Sequence, residues 1–238
     1  MADASPTVED VGPQVTRILA VRHGETAWNA QARIQGQLDI GLNPIGRWQA
    51  QRVAAALDHE PIEAIYCSDL ARARETAEPL ARQTGLTLRE DRGLRERAFG
   101  VFEGLTYAEI QARWPQASQA WRHRESDFAP EGGESLRVFY ARSVATVERL
   151  AASHPGATIA VVSHGGVMDC LYRAAARVDL QAARSWLLGN ASINRLLHTA
   201  LGLTLVGWSD VQHLEGGAPL DESDASVPAP PERAVHGG

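Results

Sequence analysis

The sequence predicts an α/β domain: a three-layer sandwich with a mainly parallel central sheet, helices on both faces and an inserted cap segment. Three observations carry that expectation. Short apolar runs alternate with longer stretches of helical periodicity along most of the 238 residues, the pattern of parallel strands joined by crossover helices. Two of the apolar runs end abruptly in a histidine followed by a glycine, at Arg22-His23-Gly24 and Ser163-His164-Gly165. The segment from about Glu96 to Ser135 breaks the alternation with glycines, a Trp114-Pro115 pair and dense charge, and reads as an insertion rather than a second core.

In chain order, residues 1–14 are small, acidic and Pro/Gly-rich, a flexible leader without the apolar segment of a secretory signal. Ile18 to Val21, apolar and β-branched at both ends, reads as a buried strand. Asn29 to Asn43 has no sustained period and reads as a loop over the strand end. Asn43-Pro44 supplies an N-cap and a proline at the first helical position, and Ile45, Trp48, Ala50, Val53, Ala54 and Leu57 continue that helix. Ala64 to Cys67 is a second strand running into a helix that Ser68 or Asp69 caps and Gly85 closes. Leu86 to Arg89 alternates as a third strand.

Asp91 to Gly104 is a glycine-bearing charged loop, followed by short helices over Thr106–Arg113 and Gln116–Arg124. Leu136, Phe139, Tyr140, Val144, Val147 and Leu150 mark the longest helix, which stops near His154-Pro155-Gly156. Thr158 to Ser163 is the strongest strand, and Val167 to Ala175 continues as a helix. Ile193–His198 and Leu203–Trp208 form a hairpin about Ala200-Leu201-Gly202. The domain is expected over 15–212, with 213–238 a disordered tail of Gly, Pro, Ser and acids.

Bulk properties exclude several function classes. Hydrophobic residues at 44% and charged residues at 22% are those of an ordinary globular protein. A formal net charge of −6 leaves no broad basic field for nucleic acid or an anionic membrane surface. All 23 basic residues are arginine, which removes Schiff-base and P-loop lysine chemistry. No apolar run approaches the roughly 20 residues of a membrane helix. Cys67 and Cys170 sit in apolar contexts and are expected as buried free thiols of a reducing cytosol, so the protein is expected in the cytoplasm. No spacing of cysteine or histidine suggests a metal. Assembly as a homodimer is left open.

In a parallel sheet, Arg22, His23 and His164 leave their strands on one side, where Arg72 in the first turns of a helix joins them. Arginine forks match phosphate oxygens bidentately, and helix N-termini add backbone donors. One neutral imidazole can attack phosphorus while the other donates to the phosphoryl oxygens. Gly24 lets the backbone approach a ligand closely. Glu96, on the loop above, is placed to give the leaving oxygen a proton, with Glu103 its rival on that loop. His59, His123, His154, His198 and His213 lack such context and read as surface or core residues.

These residues also resemble a family. Val21-Arg22-His23-Gly24-Glu25-Thr26, with Trp28-Asn29, is similar to the signature of the histidine phosphatase superfamily, in its phosphoglycerate mutase-like branch. Ser68-Asp69-Leu70-Ala71-Arg72-Ala73 with Thr76-Ala77, Leu94-Arg95-Glu96 with Phe99-Gly100 and Phe102-Glu103-Gly104, Glu131-Gly132-Gly133-Glu134-Ser135, and Val162-Ser163-His164-Gly165-Gly166 follow in the family's order. The match spans about residues 16–208. The resemblance implies a phosphoglycerate mutase-like fold. It makes His23 the nucleophile, completes the phosphate pocket with Arg22, Arg72 and His164, and makes Glu96 the acid and later base. Asn29, Gln35, Gly36 and the Gly165 amide become secondary contacts, and no metal or organic cofactor is needed.

Within the family, the expectation is a phosphomonoesterase acting on a small phosphorylated metabolite. A phosphoglycerate mutase-type phosphotransferase is the alternative, and a non-catalytic phospho-ligand binder a third. The chain lacks the lysine that glycolytic mutases carry after the acid loop, Phe99 stands at their tyrosine, and the stretch from Glu96 to His164 is short for their insertion. Arg122, His123 and Arg124 lie in the segment expected to roof the cleft, and the two arginines suggest a leaving group with a second anionic group.

Overall fold

A computed structural model describes residues 14–217. The expected leader, except for Gln14, and the expected tail beyond 217 lie outside the described residues. The chain runs β1 (Thr16–Arg22), α1 (Ala27–Ala30), α2 (Pro44–Ala56), β2 (Ile62–Cys67), α3 (Ala71–Thr84), β3 (Leu88–Glu90), α4 (Tyr107–Arg113), α5 (Pro115–Arg122), α6 (Leu136–Ala152), β4 (Thr158–Ser163), α7 (Gly165–Ala176), β5 (Ile193–Thr199) and β6 (Gly202–Asp210).

The strands form one mixed six-stranded sheet in the order β3-β2-β4-β1-β5-β6. β1, β2, β3 and β4 pair in parallel, while β5 runs against its neighbours β1 and β6. Strand alternation sorts the core into two layers, as a sheet buried on both faces requires. Ile18, Ala20, Ala64, Tyr66, Ile159 and Val161 face α6 and α7 residues such as Phe139, Val147, Met168 and Leu171. Leu19, Val21, Ile65, Cys67, Ala160 and Val162 face the opposite way, onto Val53, Ala54 and Leu57 of the α2 layer and Ala73, Ala77 and Leu80 of α3. Cys67 and Cys170 are free and buried, and burial pushes the Cys67 thiol up to about 12.

Several boundaries differ from those the sequence predicts. The stretch expected as loop from Asn29 is entered by a short helix, α1, whose Thr26 and Asn29 cap one another reciprocally. Helix α3 is capped by neither Ser68 nor Asp69. Leu70 occupies the cap position, and Asp39 of the preceding loop accepts the Ala71 amide at 2.6 Å. Asp69 instead takes both arms of Arg95 at 2.7 and 2.6 Å. The third strand begins at Leu88 rather than Leu86. The domain also continues past 212. Gln212–Leu214 is a 3₁₀ turn with Leu214 only 2% exposed against the α2–α3 layer, and Arg52 donates to the His213 carbonyl at 2.6 Å. One buried leucine and the bonds around it thus override the polar composition of the segment.

The insertion packs about an apolar cluster that it shares with the loop after α1. Ile34, Phe99, Phe102, Ile110 and Trp121 pack together, with Trp114 and Phe128 against them. Its main-chain path is tied to the loop after α1 by a bridge between Arg33 and Thr106.

Candidate active site

Because β1 and β4 are parallel neighbours with Arg22 opposite Ser163, the next residue of each strand leaves the sheet at the same level. His23 and His164 accordingly stand side by side, ring centroids 5.3 Å apart. The His23 backbone is held from both sides: its amide donates to Ser163 O at 2.8 Å, and its carbonyl accepts from Ala191 N at 3.2 Å and Asn190 Nδ2 at 3.0 Å. Its ring Nδ1 lies 2.7 Å from the Gly24 carbonyl. A carbonyl only accepts, so the neutral ring carries its proton on Nδ1 and its lone pair on Nε2.

His23 opens onto a cavity of about 310 Å³, its mouth included, whose wall also contains Arg22, Asn29, Gln35, Gly36, Arg72, Glu96 and Gly165. The structure thus brings all but one of the expected site residues to one wall. His164 is the exception. It is 0% exposed behind His23, and neither ring nitrogen has a hydrogen-bond partner among the described residues. Burial, then Arg72 and His23, hold its pKa well below the usual imidazole value, so the ring is neutral.

Arg22 Nη1 donates to Leu188 O at 2.6 Å. Arg72, from the first turn of α3, donates to Leu38 O at 2.9 Å and Gly36 O at 2.7 Å, and its Nε is buried without a partner among the described residues. Burial pulls this guanidinium down to about 10, still charged at neutral pH. Two buried cations and a helix N-terminus at Gly165 make a site for an anion.

The two loop acids separate cleanly. Glu96, 5% exposed, lines the cavity and its oxygens accept from Arg97 N at 2.8 Å and Gly166 N at 2.9 Å. Glu103 is spent on the backbone, taking Gln37 N at 3.0 Å and Phe99 N at 2.9 Å with one oxygen.

Other expectations are corrected. Gly24 is absent from the cavity wall, and its missing side chain makes room for the backbone of Gly46 on α2, which a Cβ would approach to 2.5 Å. Arg122, His123 and Arg124 do not line the cavity. Arg122 lies over the Tyr107 ring at 4.7 Å, His123 is exposed, and Arg124 reaches Asp169 at 2.8 Å and Leu180 O at 3.0 Å. The inference of an anionic leaving group from those two arginines therefore loses its basis.

Sequence reasoning misses Arg33, Ile34 and Phe99 as wall residues, Asn190 behind His23, and Arg142. Arg142 donates to the carbonyls of Gly93 and Arg95 at 2.9 Å and of Glu96 at 3.3 Å, and pairs with Glu134 at 2.7 Å, fixing the acid loop from α6. The Glu131–Ser135 motif is its one visible signal.

The family model described as the histidine phosphatase superfamily (branch 1) matches residues 18–211. Phosphoglycerate mutase-like protein 4 of Arabidopsis thaliana is 43% identical over 87% of this chain and 90% of its own length. The metal-independent phosphoserine phosphatase of the same plant is 39% identical over 86% of this chain and 85% of its own. A solved mycobacterial glucosyl-3-phosphoglycerate phosphatase superposes with a TM-score of 0.71 at 37% identity, over 81% of this chain and 98% of that one. With the paired histidines, the buried arginines and this match over nearly the whole described region, the chain belongs to the histidine phosphatase superfamily.

Proposed function

We propose that this phosphoric monoester hydrolase turns over small phosphorylated metabolites through a phosphohistidine on His23. The observation that carries the reading is the pairing of His23 Nδ1 with the Gly24 carbonyl, which leaves a lone pair on Nε2 while Arg22, Arg72 and Glu96 share the cavity wall. The phosphate dianion enters among Arg22, Arg72 and the Gly165 end of α7. Nε2 attacks phosphorus, the bond to the leaving oxygen breaks, and protonated Glu96 gives that oxygen its proton. Neutral His164 donates one N–H to the phosphoryl oxygens as their charge grows. The Glu96 carboxylate then takes a proton from water, whose oxygen attacks phosphorus and returns the electron pair of the P–N bond to Nε2.

Relatives named for phosphoserine and for glucosyl-3-phosphoglycerate support a phosphorylated metabolite as substrate. Both cysteines are free and buried, in keeping with a reducing cytoplasm. Among the described residues no helix is long and apolar enough to cross a membrane.

Phosphate release from p-nitrophenyl phosphate, and acid-labile phosphate on the denatured protein during turnover, are expected for the wild type and lost in His23→Ala. A His23→Ala protein that still releases phosphate at the wild-type rate overturns the reading. Interconversion of 2- and 3-phosphoglycerate faster than hydrolysis would instead assign a mutase.

A further inference from the structure

The cavity wall carries a second chemistry besides the phosphate end. Beside Ile34 and Phe99, both buried in the apolar cluster between the loop after α1 and the insertion, it contains one more cation, Arg33. Its guanidinium is held at the seam between the loop after α1 and the inserted segment. Nη1 donates to Gly104 O at 2.8 Å and Glu109 Oε2 at 3.3 Å, and Nε to Gln31 Oε1 at 3.3 Å. Nη2 makes no hydrogen bond among the described residues. The backbone of Arg33 is fixed by the bridge to Thr106, so the fork is already in place before a ligand arrives.

Glu109 pairs with Nη1 of this guanidinium and not with Nη2. Its Oε2 is shared with the Thr106 amide at 2.7 Å and the Thr106 hydroxyl at 3.0 Å, where it serves as the reciprocal cap of α4. The Arg33 side chain is 34% exposed, so solvent and a ligand both reach it. Of the other cations of the insertion, Arg124 is committed to Asp169, Arg97 to the carbonyls of Glu134 and Phe128 at 2.9 Å, and Arg122 to the Tyr107 face, while exposed Arg113 is no part of the cavity wall.

We infer that Arg33 forms a subsite for a second anionic group, a carboxylate or a phosphate, on the alcohol that the enzyme releases. The favoured substrates are then phosphomonoesters of small acidic alcohols, with the short carbon body against Ile34 and Phe99. This assignment rests on the phosphohistidine reading for its orientation, the ester phosphate at His23 and the second anion at Arg33.

The test uses three esters with the same two-carbon body: 2-hydroxyethyl phosphate, the phosphate ester of glycolate, and ethylene glycol bisphosphate. The wild type is expected to show higher kcat/KM for the two acidic esters, and the larger preference names which anion fits. Arg33→Met, which keeps the apolar stem, should lose roughly 10- to 100-fold on the favoured acidic ester. It should cost the neutral ester and competitive inhibition by inorganic phosphate much less than it costs the acidic ester, and Arg33→Lys should recover part of the preference. Equal loss on neutral and acidic esters, or a wild type without preference, overturns the subsite. Retained turnover in His23→Ala would sink the phosphohistidine reading separately, since the charge comparison reads Arg33 alone.

Discussion

Glu96 Oε2 accepts the amide proton of Gly166 at 2.9 Å, fastening the acid-bearing loop to the first turn of the helix that starts beside His164. The contact exists because residue 166 has no side chain: a Cβ there would run into the Glu96 carboxylate and come within 3.0 Å of the Phe139 ring. Gly166→Ala is therefore expected to displace the acid while leaving the sheet intact. Alanine in a helix is favoured over glycine by about 0.5–1 kcal/mol, so Tm should change little. Hydrolysis of an alkyl phosphate should fall at least tenfold, and that of p-nitrophenyl phosphate less, because nitrophenolate leaves without a proton. Equal losses on both would mean that the first turn of α7, not Glu96, had been disturbed.

Glu96 and Glu103 should respond differently to the same amide replacement. Glu96→Gln removes a carboxyl from the cavity wall and is expected to cost roughly 10²–10⁴-fold on alkyl phosphates, the range of general acid catalysis. Glu103→Gln weakens bonds to two loop amides and should cost about 1–3 kcal/mol of stability with kcat on p-nitrophenyl phosphate within a few fold. Urea denaturation and steady-state rates on the same two variants separate the effects. A Glu103→Gln enzyme as inactive as Glu96→Gln would move the acid role to Glu103.

His164 gives the pH prediction its sign. In the folded protein, burial and the neighbouring Arg72 hold its pKa well below the ordinary imidazole value of 6.5. The unfolded chain therefore binds the extra proton first as pH falls. The stability His164 contributes is complete above about pH 6.5 and is lost progressively below it, by up to about 1.4 kcal/mol per pH unit. His164→Asn should flatten that part of the stability profile between about pH 6.5 and 5, measured by chemical denaturation. An unchanged slope would show that other groups govern the acid limb.

The parts of this site that follow local rules are legible in the sequence. Ile18–Val21 and Thr158–Ser163 are apolar strands whose ends must emerge on one side if the sheet is parallel, which predicts His23 and His164 in one cleft, while their standing side by side follows from the pairing of β1 with β4. Arg72 and Glu96 stand in recognisable motifs. Residues that act through the fold leave no such mark. Asn190 reaches His23 O across 167 positions of sequence, and Arg142 clamps a loop from a helix that reads as ordinary amphipathic surface. Arg122 and Arg124 mislead for the same reason. Their position in the insertion is evident, but the ring and carboxylate that absorb them come from Tyr107 and Asp169. The cap of α3 eludes a local rule in the same way, since Asp39 supplies it from a loop far back in the chain.

Asp169 joins the insertion to the core, and its loss should be felt in stability rather than specificity. One oxygen accepts from Arg124 Nη2 at 2.8 Å and Arg173 Nε at 2.9 Å, with the Asp169 side chain 6% and Arg173 0% exposed. Asp169→Ala leaves Arg173 buried without its counter-charge, which costs about 3–5 kcal/mol where a buried pair is broken from one side. Arg124→Ala keeps the Asp169–Arg173 pair and removes a cation at the edge of the insertion, so its cost should be smaller. Because Arg124 is no part of the cavity wall, Arg124→Ala should also preserve any preference between acidic and neutral esters, where Arg33→Met abolishes it. Measured side by side, urea midpoints should rank wild type, Arg124→Ala, Asp169→Ala in decreasing order. A loss of acidic-ester preference in Arg124→Ala would return that residue to the substrate.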